Sequence, residues 1–445
     1  MQVCSKHCAC VLIILLLQTA SYGQADSTGA DSWPQWMGMN RDNVWPAENT
    51  LDRFPDAGPK VVWSAPVGVG YAGPAVVGSS VYVGEFDSAT EVKVSNFSRD
   101  KMEGIERFRC LDANTGELKW KQEFPTTYAI SYPSGPRCTP VVEENRVYFL
   151  GAEGHLLCMD TEKGSVIWEH ELKTKFNTGS ALWGYASHPL IDGERLVCVV
   201  GGEGSHTVAF NKMTGEVLWK SGTASEQGYV PPKIIEHAGV RQLILASPEF
   251  IRSVNPESGK VLWSQKYEAT SGSIIMTPIH SGKHLFIGGY SKRNLMLELN
   301  TSQPGAKVLF RDKPKLGLSP VNVQPFFNGE LIYGVDQSGE LMAVEIPSGK
   351  RLWSTSQPVS ERPVGNATTF IVNNGGDKFF LFAETGELII AKLNKSGYEE
   401  LDRAKVIDTT NNAFGRPVIW CAPAFANGRM YVRNDEQCLC IELTK

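Results

Sequence analysis

The sequence has no block of basic residues and little excess charge of either sign. It contains 43 Lys and Arg against 48 Asp and Glu, which gives a formal net charge of -5. Proteins that bind nucleic acids usually concentrate Lys and Arg on one face or along one segment. Because this chain has no such concentration, we do not expect nucleic acid as a partner.

A hydrophobic run long enough to cross a membrane is also missing. The apolar run Val11–Leu17 (VLIILLL) is far shorter than the about 20 residues that a spanning helix needs. Lys6 precedes this run and the small residues of Ser21–Ala25 (SYGQA) follow it, which is the pattern of an export signal. We therefore predict a cleaved signal peptide over residues 1–25. The mature protein is then soluble, has no membrane span, and lies in the periplasm or outside the cell.

Recognised catalytic and metal-binding motifs are missing too. The sequence contains no Gly-x-Ser-x-Gly elbow, no His-Glu-x-x-His, no P-loop and no kinase signature. The glycine runs Gly68–Gly73 and Gly201–Gly204 precede predicted strands rather than helices, which indicates turns rather than phosphate-binding loops. No Cys-x-x-Cys or Cys/His spacing indicates a metal site, so we expect none.

Cysteines are present, but their arrangement does not fix any disulfide. Three of the ten lie in the predicted signal, and the seven that remain leave at least one free thiol or an intermolecular bond. Cys110, Cys158 and Cys440 occupy one position of a repeat, where a small buried strand residue is expected. Cys138 and Cys421 each lie two residues before a repeat proline. A disulfide between them is open, because spacing alone cannot establish it.

The chain is organised by a repeat of about 42–66 residues, whose clearest copy is Thr139–Trp168. A proline opens a first strand, a tight turn and two further strands follow, and a tryptophan closes the fourth strand four residues after a glycine. The Gly/Trp pairs are Gly116/Trp120, Gly164/Trp168, Gly215/Trp219, Gly259/Trp263 and Gly349/Trp353, with degenerate copies near Phe310 and Val406. The opening residues are Pro74, Pro140, Pro189, Pro232, Pro278, Pro325 and Pro423, with Ala367 in place of one proline.

Four short strands per repeat indicate the blades of a β-propeller rather than a helical solenoid. The last repeat starts at Pro423 and ends before any Gly-x-x-x-Trp strand, whereas Trp63 in Lys60–Val67 has no repeat before it. These two partial copies make one complete blade. The sequence therefore predicts an all-β, eight-bladed propeller over 60–445, closed by pairing of the N-terminal strand with the C-terminal blade.

A tryptophan-rich segment lies between the predicted signal and the propeller. Ser32–Trp45 (SWPQWMGMNRDNVW) contains three tryptophans, which is too aromatic for a free tail. We predict that residues 26–59 form a cap and linker that packs against the propeller.

Three copies of the repeat resemble the tryptophan-docking repeat of the PQQ-like β-propellers. They are Cys110–Trp120 (CLDANTGELKW), Cys158–Trp168 (CMDTEKGSVIW) and Val344–Trp353 (VEIPSGKRLW). This superfamily includes the quinoprotein alcohol dehydrogenases and the lipoprotein propeller subunit of the bacterial outer-membrane barrel-assembly machinery. Its fold does not by itself transfer a function.

Three further stretches resemble a subgroup of exported PQQ-like repeat proteins of the planctomycete type. They are Trp33–Val44 (WPQWMGMNRDNV), Gly135–Pro140 (GPRCTP) and Gly415–Pro423 (GRPVIWCAP). If the chain were a quinoprotein dehydrogenase, the resemblance would also imply adjacent cysteines, calcium ligands and a catalytic Asp beside the quinone. No Cys-Cys pair exists in the sequence, so we expect no cofactor, with PQQ and calcium as the alternative.

The connections on the two faces of the predicted disc differ in length. Turns between strands one and two and between strands three and four are tight and share one face. The connections on the opposite face are long, as in 85–107, 123–137, 171–187, 221–230, 354–365 and 408–420. Long loops on a rigid scaffold often carry binding residues. We therefore place the candidate site on this long-loop face and at the mouth of the channel.

The candidate site combines aromatic anchors with charged residues expected at or near the starts of the inner strands. The residues are Tyr132, Arg137, Trp183, Tyr185, His188, Glu203, Tyr229, Arg362, Arg416 and Trp420. We predict a non-catalytic scaffold, monomeric, that binds a protein or another cell-envelope component through this face. The alternative is a divergent PQQ-dependent dehydrogenase or another enzyme that uses channel residues such as Arg137, His188, Glu203 and Arg416.

Overall fold

The computed structural model describes residues 31–92, 95–99 and 101–445. The predicted signal peptide, 1–25, and the first residues of the predicted cap, 26–30, lie outside the described residues. Eight four-stranded antiparallel sheets account for most of the rest, so the predicted eight-bladed β-propeller is confirmed.

The blades follow one another in chain order. The first strand, β1 (Val61–Pro66), belongs to the last blade. Blade 1 consists of β2 (Ala75–Val77), β3 (Ser80–Ser88), β4 (Lys101–Asp112) and β5 (Leu118–Ala129), and blade 2 of β6 (Val141–Glu143), β7 (Arg146–Leu150), β8 (His155–Asp160) and β9 (Val166–Glu171). The helix α1 (Leu172–Phe176) precedes blade 3, which consists of β10 (Leu190–Asp192), β11 (Arg195–Val199), β12 (Thr207–Asn211) and β13 (Val217–Ser221). Blade 4 consists of β14 (Lys233–His237), β15 (Val240–Ala246), β16 (Phe250–Val254) and β17 (Val261–Lys266).

The second half repeats the pattern. Blade 5 consists of β18 (Ile279–Ser281), β19 (His284–Ile287), β20 (Leu295–Leu299) and β21 (Ala306–Arg311), and blade 6 of β22 (Phe326–Phe327), β23 (Leu331–Val335), β24 (Leu341–Glu345) and β25 (Arg351–Thr355). Blade 7 consists of β26 (Thr369–Asn373), β27 (Lys378–Ala383), β28 (Glu387–Asn394) and β29 (Gly397–Lys405). A small hairpin, β30 (Asn411–Ala413) and β31 (Arg416–Val418), precedes β32 (Ala424–Ala426), β33 (Arg429–Arg433) and β34 (Gln437–Glu442) of blade 8.

The repeat prolines mark the starts of the inner strands. Seven of the eight inner strands begin at the residue that follows a predicted opening proline, and β26 begins two residues after Ala367. Proline has no N–H group for the ladder, so it is tolerated just before a strand but not within a central one. The sequence signal and the strand boundary therefore have the same physical cause.

The ring closes where the sequence predicts. Strand β1 pairs antiparallel with β34, and Trp63 lies opposite Cys440. The N-terminal strand thus becomes the outer strand of the C-terminal blade, and no half-built sheet is left with an open edge.

The docking tryptophans, with the exception of Trp263, connect their own blade to the next one. The indole N–H of Trp63 donates to the Ala113 carbonyl at 2.9 Å, and that of Trp120 donates to the Thr161 carbonyl at 2.9 Å. The ring packs on the glycine of the neighbouring turn, since a Cβ atom built on Gly116 would lie 2.7 Å from the Trp63 ring. Opposite each tryptophan on the adjacent strand lies a small residue, in the order Cys110, Cys158, Ala209, Ser253, Ala343 and Cys440. The tryptophans are therefore packing elements, and the three cysteines are small buried strand residues, as predicted.

Four of the long connections contain more regular structure than the sequence predicts. Much of 85–107 and 123–137 is strand, because β3, β4 and β5 extend above the other blades and Phe86 stacks on Tyr128 at 4.2 Å. Connection 171–187 contains α1, and 408–420 contains the β30–β31 hairpin. Helix α1 has five residues, which is too short to show a helical hydrophobic period. In the described ranges no helix has the length or the apolar character needed to cross a membrane.

Candidate functional site

The tryptophan-rich segment Ser32–Trp45 closes the central channel at the end with the tight turns. Trp33 exchanges two main-chain hydrogen bonds with Val76 of the blade 1 inner strand, at 2.7 and 2.9 Å. The Trp45 N–H donates to the Asn373 carbonyl of blade 7 at 2.8 Å, and both indole rings pack on Phe425 of blade 8. The segment is thus fixed to blades 1, 7 and 8, among others, and forms a floor across the channel.

Above this floor lies a funnel that opens towards the long-loop face. Each blade contributes a pair of lining residues from the segment that leads into or begins its inner strand. The two residues of a pair are separated by one position, so in extended chain both side chains point into the funnel. In blade order the pairs are Tyr71/Gly73, Arg137/Thr139, Ala186/His188, Tyr229/Pro231, Ser273/Ile275, Val321/Val323, Phe370/Val372 and Trp420/Ala422. The cavity has a volume of about 330 Å³, at the lower end of the range typical of small-molecule sites.

Two aromatic clusters flank the mouth of the funnel. In the first, the Trp420 cluster, the Trp420 ring contacts Tyr71, Tyr132 and Phe414 with centroid distances of 6.4, 5.6 and 5.8 Å. The tilted and edge-to-face angles of these rings are those that aromatic pairs prefer. This cluster brings together residues from the connections before blades 1, 2 and 8.

The second cluster, the Trp183 cluster, consists of Phe97, Trp183 and Tyr229. The Trp183 ring lies 5.6 Å from Phe97 and 5.4 Å from Tyr229. Its indole N–H donates to the Asn96 side chain at 3.1 Å, and its main-chain N–H donates to the Tyr229 hydroxyl at 3.3 Å. Burial raises the pKa of the Tyr229 phenol, so this group stays neutral.

Arg137 lies in the funnel wall, but its donors are used inside the protein. The guanidinium donates to the carbonyls of Trp183 at 3.0 Å, Ser131 at 3.0 Å and Tyr132 at 2.5 Å, and also to the Gly135 carbonyl. Four of its five N–H groups are thus occupied. Burial lowers the pKa of Arg137 below its ordinary value. Its main role in this structure is to hold the loop before blade 2 in place.

Arg416 and Trp420 converge on a buried carboxylate. Glu384 is 1% exposed and accepts hydrogen bonds from Arg416 Nε at 2.6 Å, Trp420 Nε1 at 3.2 Å and the Thr368 N–H at 3.0 Å. The charge of Arg416 is balanced by this contact. A buried carboxylate with an ion pair and two further donors is satisfied, so the group serves to orient the Trp420 ring.

His188 lines the lower part of the funnel as a neutral imidazole. Its ring stacks on Trp36 of the floor segment at 4.7 Å, with the planes 9° apart, and its Nδ1 accepts the Thr139 N–H at 3.1 Å. Burial, with a smaller contribution from Arg41, holds the pKa of His188 well below its ordinary value. The remaining proton therefore sits on Nε2.

Four of the predicted site residues do not line the funnel. Tyr185 is buried and donates its hydroxyl hydrogen to the Val200 carbonyl at 3.1 Å, which is a packing role. Glu203 is exposed in the turn between β11 and β12, and Arg362 is exposed in the connection before blade 7. The expectation that charged residues mark the starts of inner strands is wrong for Glu203 and for Arg416, which lies in β31. Tyr132, Arg137, Trp183, His188, Tyr229 and Trp420 do line the funnel.

Several residues that line the funnel were not among the site residues predicted from the sequence. Tyr71 occupies the third position before Pro74, as Arg137 does before Pro140 and Trp420 does before Pro423. This shared register is a signal that was available in the sequence. Trp36 carries no such signal, because its place depends on how the floor segment crosses the channel.

The lining residues do not fit a quinone held by calcium. Among the described residues that line the funnel, none is Asp, Glu or Lys, and no group of three metal-ligating side chains occurs in the described part of the chain. Calcium requires several carboxylate or carbonyl oxygens, and the carboxylates of pyrroloquinoline quinone require cations. Cys138 and Cys421 cannot form the adjacent pair either, since they lie in different blades and contact the carbonyls of Tyr185 and Gly70.

The fold and the funnel define a tryptophan-docked, eight-bladed propeller of the PQQ-like class. Within this class, residues 105–245 and 247–445 match the family model described as outer membrane protein assembly factor BamB. The chain belongs to this family.

Relatives and solved structures agree with this assignment. The outer membrane protein assembly factor BamB of Yersinia pestis is 23% identical over 57% of this chain, and that of Shewanella oneidensis is 23% identical over 68%. The matches span 63% and 72% of those two relatives, so the Yersinia pestis match covers less than two thirds of that protein.

Two solved structures have the same fold. The BamB structure from Moraxella catarrhalis has a TM-score of 0.54 at 14% identity, over 86% of this chain and 97% of that one. A quinohemoprotein alcohol dehydrogenase from Comamonas testosteroni has a TM-score of 0.59 at 14% identity, over 94% of this chain and 81% of that one. At such low identity these matches show the shared fold alone.

Proposed function

We propose that the protein is a non-catalytic binding scaffold of the cell envelope, and that its long-loop face holds a protein partner. One observation carries the proposal. Arg137 and Arg416 direct their hydrogen bonds to internal carbonyls and to Glu384, whereas Phe97 and Phe414 are 63% and 45% exposed beside buried aromatic anchors. Exposed aromatic rings on a rigid support are typical of interaction surfaces.

The family relationship supports the same function. The relatives are named as assembly factors for outer membrane proteins, and a protein with that task needs a surface for other proteins rather than a reaction centre. The predicted export signal would deliver the chain to the periplasm, where such partners pass. The role in assembly and the location are therefore part of the proposal.

The dehydrogenase alternative has less support. The similarity to the quinohemoprotein enzyme is one of fold, and none of the described lining residues carries a carboxylate that would hold calcium or accept a substrate proton. Among the lining residues, His188 has the side chain best suited to act as a general base. Burial lowers its pKa, however, and its Nδ1 already accepts the Thr139 N–H.

Site-specific cross-linking tests the proposed interaction face. A photoreactive amino acid placed at position 97 or 414 is expected to give a discrete adduct with an envelope protein in intact cells. The matched control is Lys163, which is exposed in a tight turn on the opposite face. Equal adduct formation at position 163, or no adduct at 97 and 414, would show that the long-loop face is not the interaction face.

A separate assay tests the absence of catalysis. The purified protein is mixed with pyrroloquinoline quinone and calcium, and both quinone absorbance and dye-linked oxidation of alcohols and sugars are recorded. We expect no stoichiometric binding and no turnover. Turnover with bound quinone would overturn the non-catalytic assignment.

A further inference from the structure

The floor turns the propeller channel into a blind pocket with an unusual combination of side chains. Its wall is rich in aromatic rings, and its polar groups are mostly amides and hydroxyls rather than ions. The lining residues that supply amide or hydroxyl groups include Tyr290, Asn322, Asn366, Ser271 and Thr139. A closed pocket of this kind, mostly apolar with a few polar groups, is the form that small-ligand sites usually take.

The charge of the pocket decides which ligands it accepts. No described lining residue is Asp, Glu or Lys, Arg137 has four N–H groups on backbone carbonyls, and His188 is neutral. A cationic ligand entering this pocket would lose hydration without meeting a carboxylate among the described lining residues, which is costly for a buried charge. An acid or a phosphate would meet only the Arg137 guanidinium, which has one N–H group left to donate. The pocket therefore disfavours amines and offers little to acids and phosphates.

The polar groups favour a ligand that forms hydrogen bonds. No side-chain hydrogen bond within the described residues involves Asn322, and the same holds for the hydroxyl of Tyr290. Hydrocarbon placed against these groups would leave them unsatisfied. A ligand with both C–H faces for the rings and hydroxyls for the amides satisfies both requirements.

We propose that the funnel binds the end of a neutral oligosaccharide. The aromatic rings at the mouth and in the wall contact the apolar faces of the sugar rings, and the free amide and hydroxyl groups bind the sugar hydroxyls. The volume of about 330 Å³ suits one or two sugar units, with the rest of the chain emerging between the Trp420 and Trp183 clusters. Phe97 and Phe414 at the mouth also belong to the proposed protein-binding face, whereas Tyr290 and Asn322 are assigned to the sugar alone.

Isothermal titration of the purified protein with maltotriose, cellotriose and chitotriose tests the proposal. We expect saturable binding of at least one of these neutral sugars, and no binding of trigalacturonic acid. Affinity should not change as the pH falls from 8 to 6, because burial holds the pKa of His188 well below its ordinary value and keeps the imidazole neutral. A lack of binding to all three neutral sugars, or preferential binding of the acidic sugar or of an unstructured peptide, would overturn the proposal.

Two variants locate the binding. Tyr290→Ala and Asn322→Ala should each weaken sugar binding at least tenfold, because each removes a group that binds a sugar hydroxyl. Tyr290 is half-buried and Asn322 is exposed, so neither substitution should disturb the fold. The matched control is Tyr398→Ala, since Tyr398 lies on the outer strand β29 and its hydroxyl binds Glu400. Thermal unfolding confirms that each variant is folded. Unchanged affinity in the two funnel variants, or equal loss in the control, would place the sugar elsewhere. Cross-linking at positions 97 and 414 reports separately on the scaffold function, so either proposal can fail alone.

Discussion

The indole N–H of Trp63 donates to the carbonyl of Ala113 at 2.9 Å, and the Trp63 ring covers Gly116 in the same turn. Trp63 lies near the start of the described chain, yet strand β1 makes it the docking residue of the last blade. Ala113 and Gly116 belong to blade 1. This one contact therefore joins the last blade to the first and completes the ring.

Removal of the Trp63 side chain should open this joint. We expect Trp63→Ala to lower the free energy of unfolding by about 3–5 kcal/mol, the range for loss of a buried aromatic side chain. Trp263→Ala is the control, because Trp263 is only partly buried and its N–H donates to Gln242 within its own blade. Chemical denaturation of both variants measures the difference. A loss in Trp263→Ala as large as in Trp63→Ala would contradict a special role for the closing joint.

The glycine beneath the closing tryptophan gives a second test. Gly116 has φ +74°, and a Cβ atom there would lie 2.7 Å from the Trp63 ring. Gly116→Ala should therefore cost about 1–2 kcal/mol for the left-handed backbone and about 1–3 kcal/mol more for the clash. Gly78→Ala is the matched control, since Gly78 has φ +56° with no atom within 4 Å of its Cβ position. Equal losses of unfolding free energy would mean that backbone conformation, rather than docking, accounts for the cost at Gly116.

The fold was predictable because its signals are local and repeated. Pro140 opens a strand for the same physical reason as Pro423, and each Gly-x-x-x-Trp stretch repeats one turn and one packing contact. Even the closure followed from two partial copies at the chain ends. Repetition lets several weak signals support each other, which single turns cannot do.

The site was less predictable because it depends on contacts between distant segments. Trp183 and Tyr229 follow from their position in long loops, but the stacking of Trp36 on His188 joins the floor segment to blade 3. Charged residues predicted the site less well than aromatic residues did. Arg137 lines the funnel and binds internal carbonyls, whereas Arg416 lies outside the lining and pairs with Glu384. Sequence alone does not show whether a charged side chain already has a partner inside the protein.

The buried cysteines predict a chemically inert set of thiols. All seven cysteines of the described chain are free and buried, and burial raises the pKa of Cys110 to about 11 and that of Cys421 to about 12. A thiol must ionise to react, so native protein at pH 8 should not reduce Ellman's reagent. After unfolding in guanidinium chloride, a chain without residues 1–25 should release seven equivalents. Rapid reaction before unfolding, or fewer than seven equivalents afterwards, would reveal an accessible thiol or a disulfide.

A buried histidine should make stability depend on pH in the acid range. His206 is fully buried, its Nε2 contacts the Gln227 carbonyl at 3.0 Å, and burial lowers its pKa from 6.5 to about 4. As the pH falls below 6.5, the unfolded chain takes up a proton that the folded protein does not, so stability is lost until about pH 4. Between pH 7.5 and pH 4.5 this group alone should cost about 2–3 kcal/mol. The variant His206→Gln lacks the titrating group. Its unfolding free energy should therefore fall by about 2–3 kcal/mol less than that of the unmodified protein between pH 7.5 and pH 4.5. Denaturation curves of both proteins at several pH values measure the difference, and parallel pH profiles would show that His206 is not responsible.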